Sequence, residues 1–446
     1  MRTPIADFLR QYAARDVARF HMPGHKGRGV LGTEQFDITE VQGADVLYHA
    51  DGVIAESAAN ATALFGTAAT FYSTEGSTLA IKAMLALISA NAPRGARPRV
   101  LAARNAHKAF LYGAALLDID VRWLMPRAQT HLCACPLSPD DVENALMRED
   151  ALPQAVYLTS PDYLGNIADV AGIGAVCKRY GVPLLVDNAH GAYLRFLSPS
   201  LHPIDLGATM CADSAHKTLP ALTGAAYLHI AKDAPRGYVE GAPAALSLFA
   251  STSPSYLLLQ SLDICNAMLA DDYSKRLANI VQSVAEMKNR LEKRGFVFCG
   301  EEPLKIAVNA AAVGYTGEAL ADMLRERDIE PEFADADFLV LMITPTNTAA
   351  ELERLEAALS AISLRAPRAV ERIAVPTPAI VLSPRAALLS PAEEISIENA
   401  AGRVLAAPTV SCPPAVPILM SGERIDSAAV RLFKKYGFTH VRVVKE

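Results

Sequence analysis

The stretch Cys211-Ala212-Asp213-Ser214-Ala215-His216-Lys217-Thr218-Leu219-Pro220 decides how this chain is read. It sets a lysine among small polar side chains, downstream of Val186-Asp187-Asn188-Ala189-His190-Gly191. The apolar approach from Gly207 to Cys211 reads as a strand, and Gly224-Ala225-Ala226-Tyr227-Leu228 as another buried one. A lone lysine is ordinarily a solvated surface residue; this setting singles Lys217 out. A lysine amine condenses with an aldehyde, and a carboxylate can keep a pyridine nitrogen protonated. One site offering both suits pyridoxal 5′-phosphate (PLP).

Outward from that stretch the chain alternates short apolar runs with helical segments. Arg99-Val100-Leu101-Ala102, Ala155-Val156-Tyr157-Leu158 and Pro183-Leu184-Leu185-Val186 read as buried parallel strands. Ile173 to Tyr180 reads as a helix stopped by Gly181. This alternation predicts an α/β sheet with helices on both faces, in which ligands sit beyond the carboxyl ends of strands. Asp187 falls at such an end. From about Ala307 the pattern becomes a smaller α+β unit: a helix over 316–328, a strand over Phe338–Ile343 and a helix over 349–364. Val375-Pro376-Thr377-Pro378 then separates a C-terminal segment with its own Pro-rich loop, Cys412-Pro413-Pro414-Ala415-Val416-Pro417. The expected organisation is an N-terminal arm (1–60), a large cofactor-binding domain (61–300), a small α+β domain (301–372) and a C-terminal subdomain (373–446).

Bulk properties narrow the class. At 446 residues, 51% hydrophobic and 20% charged, the chain can bury more than one core and is not disordered. A net charge of −6 gives no footprint for nucleic acid or an anionic membrane. Seven cysteines are an odd number, and only Cys133 and Cys135 are near neighbours, so neither a disulfide framework nor a zinc spacing is visible. Reduced thiols and no metal are expected. The start, Met1-Arg2-Thr3-Pro4-Ile5-Ala6-Asp7, lacks an apolar signal region, and no apolar run reaches membrane-spanning length. A cytoplasmic protein is expected.

Further segments carry chemistry. Glu75-Gly76-Ser77-Thr78 opens a helix whose apolar positions Leu79, Ile81, Met84, Leu85 and Ile88 predict an amphipathic element. A helix N-terminus with small hydroxyl residues is a phosphate cradle, although Ser77 or Thr78 also reads as a plain N-cap. Arg104-Asn105-Ala106-His107-Lys108 follows the strand at 99–103. Arg19-Phe20-His21-Met22-Pro23-Gly24-His25-Lys26-Gly27 is a donor-rich turn, and Ser251-Thr252-Ser253-Pro254-Ser255-Tyr256 a hydroxyl-rich one.

Taken in order, these pieces resemble the fold-type I PLP enzymes, and within them the bacterial ornithine/lysine/arginine decarboxylases. Phe36-Asp37-Ile38-Thr39-Glu40 and Ser421-Gly422-Glu423 carry the likeness toward that group, which covers the chain from about Arg19 to Glu423. The resemblance implies a mostly parallel sheet flanked by helices with a smaller C-terminal α+β domain. It implies Lys217 as the Schiff-base residue and Asp187 on the pyridine nitrogen. His190 would lie near the phenolic oxygen, and His107 against the ring as a possible proton relay. Gly76, Ser77, Thr78, Ala189, Ser214, His216 and Thr252 complete the cofactor set, with Thr252 reaching across a homodimer interface. The implied reaction is decarboxylation of a basic amino acid, arginine marginally ahead of lysine and ornithine, as in polyamine biosynthesis. Asp45, Asp51 and Glu423 are candidates for the substrate's distal cation.

Three departures stand out. Glu75 replaces the usual Asn of the phosphate loop, Ala80 a frequent Gly, and Gly43-Ala44-Asp45-Val46-Leu47 keeps one Asp where the family often has two. A carboxylate beside a phosphate is repulsive, so Glu75 must point away or do another job. An aminotransferase or carbon–carbon lyase is the same-cofactor alternative. A transaminase would ordinarily need a late arginine for the α-carboxylate, and Arg365, Arg368 and Arg372 lie in no recognised motif. A non-catalytic scaffold retaining the fold is the alternative from another class.

Overall fold

The computed structural model describes residues 1–126, 131–369, 377–410 and 415–446. Arg372, the Val375-Pro376 break and Cys412-Pro413-Pro414 lie outside the described residues. Seven strands form the main sheet: β1 (Ala69–Ser73), β2 (Arg99–Ala103), β3 (Asp120–Leu124), β4 (Ala155–Thr159), β5 (Leu184–Asp187), β6 (Met210–Asp213) and β7 (Ala226–Ile230). Their order is β1-β7-β6-β5-β4-β2-β3. β2 and β3 are parallel, as are β5 and β6, whereas β7 is antiparallel to both neighbours. Every residue of β5, β6 and β7 is buried, which is why those runs are apolar without alternation.

Contacts divide the chain into two compact units, of which the first comprises Met1–Ala96, Gln154–Tyr157 and Val170–Arg276. The helix Gly76–Ala90 is largely buried in it. Leu79, Ile81, Met84, Leu85 and Ile88 are all buried, but so are Ala80, Ala83, Ala86 and Leu87. The buried face is therefore wide, its alanines letting neighbours close in, and Thr78, Lys82 and Ser89 keep the opposite side of the helix open. The helix Val170–Tyr180 ends as expected at Gly181, whose φ of +66° is the left-handed conformation a side chain resists. A buried polar chain ties the N-terminal helix Pro4–Ala14 to this unit. The Ala6 N–H and the Ser57 hydroxyl donate to Asp263 at 2.9 and 2.6 Å, and Tyr72 donates to Ser57 at 2.7 Å. Asn266 donates to Tyr72 at 2.6 Å and accepts from Tyr227 at 2.9 Å. No member of this chain lacks a partner, which is the condition for a polar group to lie in a core without cost.

The second unit comprises Arg97–Pro153, Leu158–Asp169 and Leu277–Glu446. It holds an antiparallel sheet of β8 (Phe298–Cys299), β9 (Lys305–Asn309), β10 (Phe333–Ala334) and β11 (Phe338–Met342), in the order β10-β11-β9-β8. The helix expected over 316–328 spans Gly317–Arg325, capped by the Thr316 hydroxyl and stopped before Asp328, whose φ is +54°. The helix expected over 349–364 spans Ala349–Ser360, opened by a Thr348/Glu351 capping box. Beyond it, Ser363 accepts from Tyr315 Oη at 2.7 Å and the Arg365 N–H bonds Val313 at 3.1 Å, which draws the chain out of the helix. A C-terminal pair, β12 (Ala392–Ser396) and β13 (His440–Val444), packs with the helix Ser427–Lys435 around Leu405, Ile425, Phe433 and Val443. Among the described residues no helix is long and apolar enough to cross a membrane, and the described cysteines are free thiols.

Because Leu85 is fully buried among the apolar residues of this helix, Leu85→Ala is expected to cost about 2–5 kcal/mol of stability. Urea denaturation checks it; a loss well under 1 kcal/mol would mean that Leu85 is not buried.

Candidate functional site

In the first unit the chemistry gathers where β5 and β6 end. Asp187 closes β5 and is 2% exposed. Its carboxylate accepts the Ala189 N–H at 3.1 Å and the Tyr157 hydroxyl at 3.2 Å. Burial raises the Asp187 pKa, while nearby Lys217 acts to lower it. The next residue, Asn188, is tied across to β6 by its N–H on Ala212 at 3.0 Å.

Lys217 sits on the short helix Ala215–Thr218 that follows β6 directly. His216 is fixed on Ala225 by its backbone N–H and by Nδ1, at 3.2 and 3.0 Å, which holds the turn against β7. Burial lowers the His216 pKa. The Lys217 Nζ lies 3.1 Å from His190 Nε2, so the lysine amine and this imidazole share a proton position. Ser214, just before that helix, donates to Ser77 Oγ at 2.8 Å. Lys217, His190, Asp187, Ser214 and Ser77 are thus brought together from three segments, those that follow β1, β5 and β6.

The phosphate loop explains its own departure. Gly76 begins the helix Gly76–Ala90 at φ +70°, with open space where a side chain would stand, and no side chain of Glu75 caps the helix. Glu75 points elsewhere: its Oε1 accepts the Ser251 N–H at 2.6 Å. The unusual carboxylate anchors the hydroxyl-rich segment instead of facing an anion. Thr78 is exposed on the first turn, and Thr252 is exposed on the anchored segment. A PLP group fits these residues. An amine for the aldehyde, a buried carboxylate for the ring nitrogen and an uncapped fifteen-residue helix start with paired hydroxyls for the phosphate occur in one unit.

The substrate candidates fare differently. Asp45 accepts backbone N–H groups from Val46, Asp51, Gly52, Ile54 and Ala55, capping the start of the helix Val53–Phe65. Burial acts to raise its pKa, but those N–H groups outweigh it and hold the carboxyl below its ordinary value. Asp51 is exposed and gives Asp45 one of those bonds. In the second unit Glu423 pairs with Arg104 at 2.8 Å, both side chains about 5% exposed or less. Arg104 also stacks on Trp123 at 5.3 Å, and Glu423 accepts the Met420 N–H at 2.6 Å. Asp45 and Glu423 therefore have structural partners already.

His107 caps the helix Lys108–Leu116, its Nδ1 accepting the Ala109 N–H at 3.1 Å, so the ring orientation is fixed within the second unit. Arg365 stacks on Tyr315 at 4.4 Å, and Arg368 donates to Tyr315 and Ala336 carbonyls at 3.0 and 2.8 Å. Neither is a loose carboxylate clamp.

Two features were not read from the sequence. Tyr157 is quoted as part of an apolar strand, and only the β4 geometry turns its hydroxyl onto Asp187. Asp213 lies inside the deciding stretch without a role, yet it anchors a fully buried cluster. His202 Nε2 and His229 Nε2 lie 2.9 and 3.3 Å from its Oδ2, and Asn188 Nδ2 donates to its Oδ1 at 2.8 Å. Burial acts to raise the Asp213 pKa, but the two imidazoles overcome it and hold the carboxyl far below the usual range. His202, Cys211 and Asp213 carry metal-ligand atoms, but Cys211 Sγ–Oδ1 and His202 Nε2–Oδ2, at 3.1 and 2.9 Å, have the spacing of direct hydrogen bonds.

Comparison with known proteins agrees with this geometry. Residues 3–306 match the family model described as Orn/Lys/Arg decarboxylase, major domain, and residues 367–437 match that of its C-terminal domain. Arginine decarboxylases of Bacillus anthracis and Bacillus cereus are each 29% identical over 97% of this chain and cover 92% and 99% of their own lengths. The uncharacterized protein YaaO of Bacillus subtilis is 30% identical over 97% of this chain and 93% of its own. The constitutive lysine decarboxylase of E. coli shares the fold, with a TM-score of 0.78 at 19% identity over 100% of this chain and 82% of its own.

Two outcomes follow from the buried ion pairs. Glu423→Ala strands the Arg104 guanidinium in the interior and is expected to cost about 3–5 kcal/mol in urea denaturation; a cost under 1 kcal/mol would mean the pair is solvated. Asp213 has a lowered folded pKa, so its contribution is complete above an unfolded value of about 4 and is lost as pH falls below it. The stability gap between wild type and Asp213→Asn should therefore narrow below about pH 4, and a gap independent of pH there would contradict an ionised Asp213.

Proposed function

The chain belongs to the Orn/Lys/Arg decarboxylase family, and from that premise we propose that it removes CO2 from a basic amino acid at a site centred on Lys217, with arginine as the first substrate to try. The enzyme class, a PLP-dependent amino-acid decarboxylase, comes with the family. The substrate preference follows the arginine decarboxylases of Bacillus, which are 29% identical to it.

The observation that carries the reading is the pairing of Lys217 Nζ with His190 Nε2 at 3.1 Å beside a buried Asp187. PLP, when bound, supplies an aldehyde to hold the substrate's amine and a ring to accept the electron pair released as CO2 leaves. Lys217 is the amine that would hold the aldehyde between turnovers. Asp187 would keep the ring nitrogen protonated, because its buried carboxylate gains most by facing a cation. Tyr157 and the Ala189 N–H fix that carboxylate in place. His190 takes up and returns the lysine's proton, so that the amine can be neutral when it acts as a base at Cα. Ser77, Ser214 and the first N–H groups of the helix at Gly76 would bind the phosphate. The structural commitments of Arg365 and Arg368 weigh against transamination, which needs a free cation for a carboxylate that stays. A substrate's CO2-yielding group is better left poorly solvated.

The test is CO2 release and amine formation from arginine, lysine and ornithine. Wild type should turn over one of them, Lys217→Ala should abolish it, and Asp187→Asn should lower kcat by about 10²–10³. Unchanged turnover in Lys217→Ala, or no CO2 from any of the three by cofactor-loaded wild type, would sink the proposal.

A further inference from the structure

A cavity of about 360 Å³ opens in the second unit, lined among others by Asn105, Thr159, Asp162, Asn166, Asp169 and Glu301. That is within the size range of small-molecule sites. Among the described residues no lysine, arginine or histidine lines it. Its polar groups are acceptors in surplus. Asn105 is 3% exposed and its Nδ2 is committed to the Cys133 carbonyl at 3.0 Å, which settles the amide orientation. The amide oxygen, Oδ1, then has no hydrogen-bond partner among the described residues. The Thr159 hydroxyl, at the end of β4, has none either. An unpaired buried acceptor is costly and calls for a donor.

The charges point the same way. Asp162 is buried, while Asp169 and Glu301 are exposed toward the mouth. The nearby buried cation, Lys305, donates to the Asp162 backbone carbonyl at 3.1 Å and lies 3.9 Å from the Glu302 carboxylate, while its charge also acts on the Asp162 carboxyl. A donor-rich cation answers both needs, and the volume is far larger than a metal ion requires.

We propose that this cavity receives the cationic end of an organic amine, an alkylammonium or guanidinium group, with Asn105 Oδ1 and Thr159 Oγ1 as its inner acceptors and Asp169 and Glu301 at its mouth. The choice of amine rests on the decarboxylase reading; the acceptor character of the cavity does not. Two sources share this chemistry, the side chain of a basic substrate and a free amine such as the reaction product.

The test titrates methylguanidine, which has no alkylamine to condense with an aldehyde, into cofactor-loaded wild type, Thr159→Val and the Asp169→Asn/Glu301→Gln double variant by calorimetry, with magnesium chloride as the ionic control. Steady-state kinetics on the basic amino acids run in parallel. Thr159→Val keeps the side-chain shape and the double variant changes exposed positions, so folding is preserved. The expected result is saturable binding to wild type, weakened at least about fivefold in both variants and by added salt. A matching rise in KM with kcat retained identifies the source as the substrate's side chain; an unchanged KM identifies a separate amine. No binding to wild type, equal binding by all three proteins, or a response to magnesium alone would overturn the proposal. If wild type turns over no basic amino acid, the proposed function fails while the methylguanidine titration still decides this site.

Discussion

The arrangement of the first unit depends on one buried charge, the carboxylate of Asp187. An isolated carboxylate in a core is too costly to persist ionised, and it protonates unless cations and donors face it. Here the donors are local, the Ala189 N–H from the same turn and the Tyr157 hydroxyl from β4. The nearby cation is Lys217, carried by a four-residue helix that β6 delivers beside β5. Parallel pairing of β5 and β6 sets both groups at the same end of the sheet, which explains why the Asp and Lys stretches come in that order in the chain. Under the proposed function, a cationic ring nitrogen facing Asp187 would offset the cost of burying its carboxylate, which would couple cofactor binding to the stability of this corner.

A second layer of charge holds the frame. Asp213 lies one residue past the partner of Asp187 on β6 and is locked between His202 and His229, while Asn188 bridges it to the Asp187 turn. In the other unit, Arg104 and Glu423 join the loop after β2 to the C-terminal segment, and the Lys108 N–H bonds the Ala415 carbonyl at 3.1 Å. The loop that carries His107 is thus fixed from residues more than three hundred positions away. The C-terminal segment thereby holds the loop after β2 in place.

Legibility in the sequence followed the range of the interaction. β5, the helix Val170–Tyr180 with its Gly181 stop, and β11 with its flanking helices were readable because local patterning and turn chemistry suffice to encode them. β1 and β3 were not singled out: each interleaves buried positions with partly buried or exposed ones over five residues, so the apolar run that marks a central strand is missing. The helix at Gly76 was read with the wrong face count, since alanines look neutral in a pattern yet pack as core. At the site, Lys217 and Asp187 were visible because their neighbours form a recognisable order. Tyr157 and the partners of Asp213 were invisible, because a tyrosine or histidine inside an apolar strand carries no sign of what it meets across the sheet. Glu75 shows the reverse: its oddity was legible, but its partner, Ser251, lies 176 residues along the chain.

The central claim is that the lysine poised beside His190 and Asp187 is the one that holds the cofactor. Borohydride reduction of cofactor-loaded wild type, followed by proteolysis and mass mapping, tests it most directly by fixing the imine bond where it stands. The account predicts a single pyridoxyl adduct on Lys217. An adduct on Lys108, the other lysine that follows a histidine beyond a central strand, would contradict it.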